Sequence, residues 1–83
     1  DYEGAISDYS KAISINPDLD YAHYNRGLMN YNSDKFKEAC ADWIKASELG
    51  YEYAFKKADN CKNSHNFKAS IKNLLEKKIK QIK

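Results

Sequence analysis

A single proline interrupts these 83 residues, and there are only three glycines and two cysteines. With 42% hydrophobic and 31% charged residues, so few breakers fit a folded, helix-rich chain and not a disordered one. No run of about 18 apolar residues is present, so no segment reads as a membrane-spanning helix. Residues 1–20 also lack the apolar core of a secretory leader, which makes the cytoplasm the expected location. Cys40 and Cys61 are too few and too far apart for a disulfide framework or a Cys-x-x-Cys metal pair. Free, partly buried thiols are the expected state, and a bond between the two stays open as the alternative.

Catalytic chemistry is poorly provided for. There is no glycine-rich phosphate loop, no nucleophile elbow and no His-Glu-x-x-His pair. His23 reads as a packing residue and His65 as a solvated one, so neither is expected to ligate a metal. Asp8, Asp18, Asp20, Asp34, Asp42 and Glu48 are expected on caps and outer faces. No catalytic residue, cofactor or metal site is expected.

What the chain does have is helical periodicity. Tyr2, Ala5, Ile6, Tyr9, Ala12, Ile13 and Ile15 recur at steps of three and four, which predicts a helix over residues 2–16 ended by Asn16-Pro17. Asp18 or Asp20 is the expected cap of a second helix carrying Tyr21, Ala22, Tyr24, Gly27, Leu28 and Tyr31. After the polar turn Asn32-Ser33-Asp34, a third helix over 35–49 points Phe36, Ala39, Cys40, Trp43, Ile44 and Ala46 inward, and Gly50 closes it in a left-handed conformation. A less regular fourth helix is expected over 52–61, with Tyr53, Ala54, Phe55 and Ala58 as its apolar set. A fifth, basic and amphipathic, is expected from Asn66 with Phe67, Ile71, Leu74, Leu75, Ile79 and Ile82 on one face. No strand signal is present.

Charge is divided along the chain. Residues 1–55 carry five basic and ten acidic side chains, whereas residues 56–83 carry nine and two. Such a split can mark an interaction tail.

Laid against itself at one fixed offset, the chain places Ala5 on Ala39, Asp8 on Asp42, Lys11 on Lys45, Ala12 on Ala46, Tyr9 on Trp43 and Tyr2 on Phe36. Small residues at Ala5, Ala12, Gly27, Ala39 and Ala46 let helices approach closely, and Tyr9 and Trp43 fill the space between hairpins. On these residues the chain resembles the tetratricopeptide repeat family, whose paired helices recur with the same period, about 34 residues. Gly27, the pair Ala39 and Trp43, and Ala46 match the family pattern. His23, Arg26 and Asn30 depart from it at an aromatic, a leucine and a tyrosine position, and Gly50 stands where a proline closes the preceding repeat.

The resemblance implies an all-α fold: antiparallel helix hairpins stacked as a short right-handed solenoid with a C-terminal capping helix. Residues 1–61 would hold the repeats, with 1–17 as the second helix of one repeat, 20–50 as a complete repeat and 51–61 as a degenerate following helix. Residues 62–83 would form the basic capping helix, ending the array.

The resemblance also implies a non-catalytic scaffold that binds a protein or peptide in a concave groove lined by Tyr21, Tyr24, Asn25, Leu28, Tyr31 and Asn32. Asn25 matches the asparagine of family members that clamp a terminal carboxylate, but Tyr21 and Tyr24 stand where basic residues would be wanted, so that clamp is not expected. Two alternatives remain. The lysine-rich tail could direct the chain to nucleic acid or an anionic membrane, or the unmatched helix at residues 1–16 could pair with a second copy.

Overall fold

A computed structural model of the chain describes residues 1–63. The expected capping helix, with the apolar set from Phe67 to Ile82, lies outside the described residues, as does His65. Four helical segments follow one another: α1 (Tyr2–Ile15), α2 (Asp20–Asn32), α3 (Phe36–Glu48) and α4 over 55–63, the last entered through a short 3₁₀ turn at Glu52–Ala54. No strand occurs among the described residues.

Each boundary has a local cause. Asn16, held in the extended region at φ −137° and ψ 96° by the proline that follows, ends α1. α2 ends in a Schellman motif: the Lys35 amide donates to the Asn30 carbonyl at 2.8 Å and the Asp34 amide to that of Tyr31 at 3.1 Å. Asp34 takes the left-handed place at φ 63°. α3 ends the same way, with amide bonds from Tyr51 to Ala46 and from Gly50 to Ser47, both 3.0 Å, and Gly50 at φ 92° as its sequence position predicts. The caps at the start of α2 differ from expectation. Leu19 is the N-cap, Asp20 already lies in the helix, and the Asp18 amide donates to Asn16 Oδ1 at 3.1 Å. The chain is thus turned by the Asn16 side chain before either aspartate can cap.

Turns this short make adjacent helices antiparallel neighbours. α1 and α3 each pack against α2, and an exposed ion pair of 3.0 Å joins Glu3 at the start of α1 to Lys35 just before α3.

Small residues make up the interior. Ala22, Ala39, Ala46 and Ala54 are fully buried, Ala58 is 1% exposed, and among the described residues Trp43 is the one large apolar side chain that is buried. Gly27 shows why. A Cβ built there would lie 2.6 Å from Trp43 Nε1, 2.7 Å from Trp43 Cδ1 and 3.2 Å from the Ala39 carbonyl oxygen. Gly27, Ala39 and Trp43 therefore meet where α2 contacts α3, and Ala46 is buried elsewhere along α3. Ala5, Tyr9 and Ala12 are half-buried, and α1 has no buried residue.

Two expectations are corrected here. Cys40 and Cys61 form a disulfide with Cα atoms 5.8 Å apart, because the hairpin formed by α3 and α4 folds these distant positions onto each other. Phe36, Tyr53 and Phe55 are exposed, leaving Ala54 and Ala58 to pack α4.

An alanine core contributes little apolar area per residue, so close contact and the cross-link carry much of the stability. Substituting Gly27→Ala is expected to lower unfolding free energy by about 1–3 kcal/mol, measured by urea denaturation, since the indole must shift to admit a methyl group. A loop of this length makes the disulfide worth about 3 kcal/mol by chain entropy, so the Cys40→Ser/Cys61→Ser variant is expected to unfold at distinctly lower urea.

Candidate functional site

The two sides of α2 differ in chemistry. On one, Arg26 donates twice to Asp42 of α3, from Nη2 to Oδ1 at 2.7 Å and from Nε to Oδ2 at 2.9 Å. Asn30 Nδ2 adds a third bond to Oδ2 at 3.0 Å, and Arg26 Nη1 reaches Ser10 Oγ on α1 at 3.2 Å. One carboxylate ties α3 to α2, and the guanidinium it holds reaches α1. Asp42 is 5% exposed and Asn30 also 5%, so Asp42 is not on an outer face as its type suggested. Its hydrogen bonds, and secondly its charge, raise the Arg26 pKa against the opposing effect of burial. The guanidinium therefore stays charged through and above the usual range. The stability it contributes is present at neutral pH and is lost only under strongly alkaline conditions.

The positions at which the chain leaves the family pattern have become this network. Arg26 and Asn30, where leucine and tyrosine are the rule, require a buried carboxylate, and Asp42 supplies it. His23 likewise trades an aromatic for a bond: it is buried, and Nε2 lies 2.8 Å from the Pro17 carbonyl oxygen. A carbonyl only accepts, so Nε2 carries the proton. The ring thereby fastens α2 to the turn after α1 and has a packing role, as its sequence position predicts.

On the opposite side of α2, an open cleft of about 420 Å³ is lined by Leu28, Tyr31, Phe36, Trp43, Lys57 and Asn60, with Cys40 and Cys61 bonded along it. Tyr31 meets Phe36 edge-on with centroids 5.2 Å apart and Trp43 at 5.7 Å. Lys57 Nζ stands 4.9 Å from the centre of the Trp43 ring. Such contacts suit a cation over an indole face. Tyr31 and Phe36 remain 52% and 53% exposed, a large apolar area for a chain with so small a core.

Of the six side chains expected in a groove, Leu28 and Tyr31 line this cleft. Tyr24 packs against Tyr51 at 5.2 Å, which in turn meets Tyr53 at 5.5 Å, so Tyr24 joins α2 to the chain entering α4. Tyr21 and Asn32 are exposed and Asn25 is half-buried. All six fall on one side of the helix by their spacing, across from Arg26 and Asn30. Sequence reasoning missed Phe36, Lys57 and Asn60, because they come from the start of α3 and from within α4 and share no periodic stripe with α2. No group of three or more His, Cys, Asp or Glu able to hold a metal occurs among the described residues. None of the described helices is long and apolar enough to cross a membrane.

Residues 1–34 match the family model of the TPR repeat, the tetratricopeptide repeat. That span covers α1, its turn and α2. No curated protein and no solved structure matches the chain.

The carboxylate network makes an asymmetric expectation. Asp42→Ala should cost about 2–4 kcal/mol in urea denaturation, because it leaves the Arg26 guanidinium and the Asn30 amide without their acceptor. Arg26→Met combined with Asp42→Leu should cost clearly less than Asp42→Ala alone.

Proposed function

We propose that the tetratricopeptide repeat at residues 1–34 and the helices that follow it work as a non-catalytic scaffold, holding a peptide or helix of another protein against α2. A TPR repeat implies a protein–protein interaction module. Supporting a more specific reading are the residues on one side of α2. Tyr21, Tyr24, Asn25, Leu28, Tyr31 and Asn32 make the proposed recognition surface, in which rigid aromatic rings offer apolar area and asparagines offer hydrogen bonds at small entropic cost. The observation that carries it is the exposure of Tyr31 and Phe36 beside a cleft whose floor is the buried Trp43.

The proposed organisation keeps 1–17 as a second helix, 20–50 as a full repeat, 51–61 as the first helix of a degenerate one and 62–83 as a basic terminal segment. The charge of that last segment supports a second reading, attachment to nucleic acid or to an anionic membrane. For self-association the support is the half-covered stripe of α1, where Ile15 is 86% exposed and Tyr2 48%. The Cys40–Cys61 bond favours an oxidising compartment over the cytoplasm, where thiols are kept reduced.

Selection of a displayed random-peptide library on the intact chain tests the scaffold reading. Binders are expected whose affinity falls about tenfold on Tyr31→Ala and changes less than about threefold between 50 and 200 mM salt. Binding confined to duplex DNA or anionic vesicles, and falling steeply with salt, would favour the basic segment instead.

A further inference from the structure

Resting on the scaffold reading, we infer that the cleft between α2, α3 and α4 selects a partner segment that places a large apolar side chain beside a carboxylate. The walls supply the first half of that specificity. Leu28, Tyr31, Phe36 and Trp43 converge on a space of about 420 Å³, enough for one or two bulky side chains and too small for a folded element. The rim supplies the second half. Lys57 is the one charged residue lining the cleft, and no carboxylate lines it among the described residues.

Position makes that charge useful. Lys57 is half-buried, its ammonium held over the Trp43 ring at 4.9 Å. A cation fixed on an indole face is partly stripped of water and points its remaining donors outward, so a carboxylate arriving with an apolar neighbour completes its hydrogen bonding. Asn60, one helical turn further along α4, lines the same cleft and offers an amide to the peptide backbone. This differs from a clamp built by basic residues on α2 itself, since the cation here comes from α4. The clip between Cys40 and Cys61 keeps α4, and hence Lys57, at a fixed distance from α3.

Charge also argues against the chain's own following segment as occupant. Lys68, Lys72, Lys77, Lys78, Lys80 and Lys83 accompany a single acid, Glu76, in residues 64–83, and such a segment would be repelled by Lys57. An acidic, apolar partner is attracted on both counts.

The test uses the same random-peptide library selected on the intact, oxidised chain, with the enriched peptides synthesised and titrated. Trp43 is the sole tryptophan and lines the cleft, so its emission reports occupancy directly. Enrichment of Asp or Glu within three positions of Leu, Phe or Trp is expected, with a shift in Trp43 emission on binding. Affinity should fall about tenfold on Lys57→Glu and on Phe36→Ala, and stay within twofold on Tyr53→Ala, which alters an exposed ring that does not line the cleft. Replacing the peptide's acids with Gln should weaken it, and replacing them with Lys should abolish it. Circular dichroism of each variant keeps loss of folding separate from loss of binding.

Enrichment of neutral or lysine-rich peptides, or affinity indifferent to Lys57→Glu, overturns the inference. If such peptides still lose affinity on Tyr31→Ala, the scaffold reading survives it. If no peptide is enriched, both fail. Trp43 emission that changes with protein concentration alone would identify a second copy as the occupant and also overturn it.

Discussion

Everything in this small chain turns on how closely α2 can approach α3, and that is set at one point, where the absence of a side chain at Gly27 admits the edge of the Trp43 indole. A helix–helix contact of this kind leaves room only for small neighbours, which is why Ala22, Ala39 and Ala46 are completely buried while, among the described residues, no bulky aliphatic side chain is. Close packing substitutes for apolar volume. Its cost is a narrow margin, since an alanine interior removes little area from water.

Two consequences follow on opposite sides of α2. Where Arg26 and Asn30 project, α2 is near enough to α3 to share its buried carboxylate, and Arg26, held by Asp42, reaches on to Ser10 of α1. Where Leu28 and Tyr31 project, the same approach leaves the Trp43 ring as the floor of a cleft. Lys57 from α4 covers the ring's face, and the Cys40–Cys61 bond holds that helix in place. One side is thus closed by polar bonds and the other left open with aromatic walls. The proposed scaffold role would use that division: a fixed back and a surface with unspent contact area.

The helices were legible because their signals are local and repeated. Asn16-Pro17, the left-handed Gly50 and the return of Ala5 and Ala12 as Ala39 and Ala46 one repeat later each act within a few positions or through a simple period, and the structure bears out the all-α reading. The lining of the candidate cleft was legible only in part. Leu28 and Tyr31 follow from helical spacing, but Phe36, Lys57 and Asn60 reach the cleft through turns and packing angles that no stripe encodes. Asp42 misled for a related reason: its repeat counterpart Asp8 is exposed, and only the departure of Arg26 and Asn30 from the family pattern hinted at a buried acceptor. The cysteines gave no signal either, because nothing in the separation of Cys40 from Cys61 along the chain says that two helices will fold back on each other.

The contact between Gly27 and Trp43 can be observed directly by nuclear Overhauser spectroscopy in solution. Strong cross-peaks are expected between the Gly27 α-protons and the Trp43 indole Hε1 and Hδ1, with slow solvent exchange of the indole N–H. A rapidly exchanging indole with no cross-peak to Gly27 would contradict the close approach of α2 and α3, and with it the cleft and the shared carboxylate that depend on it.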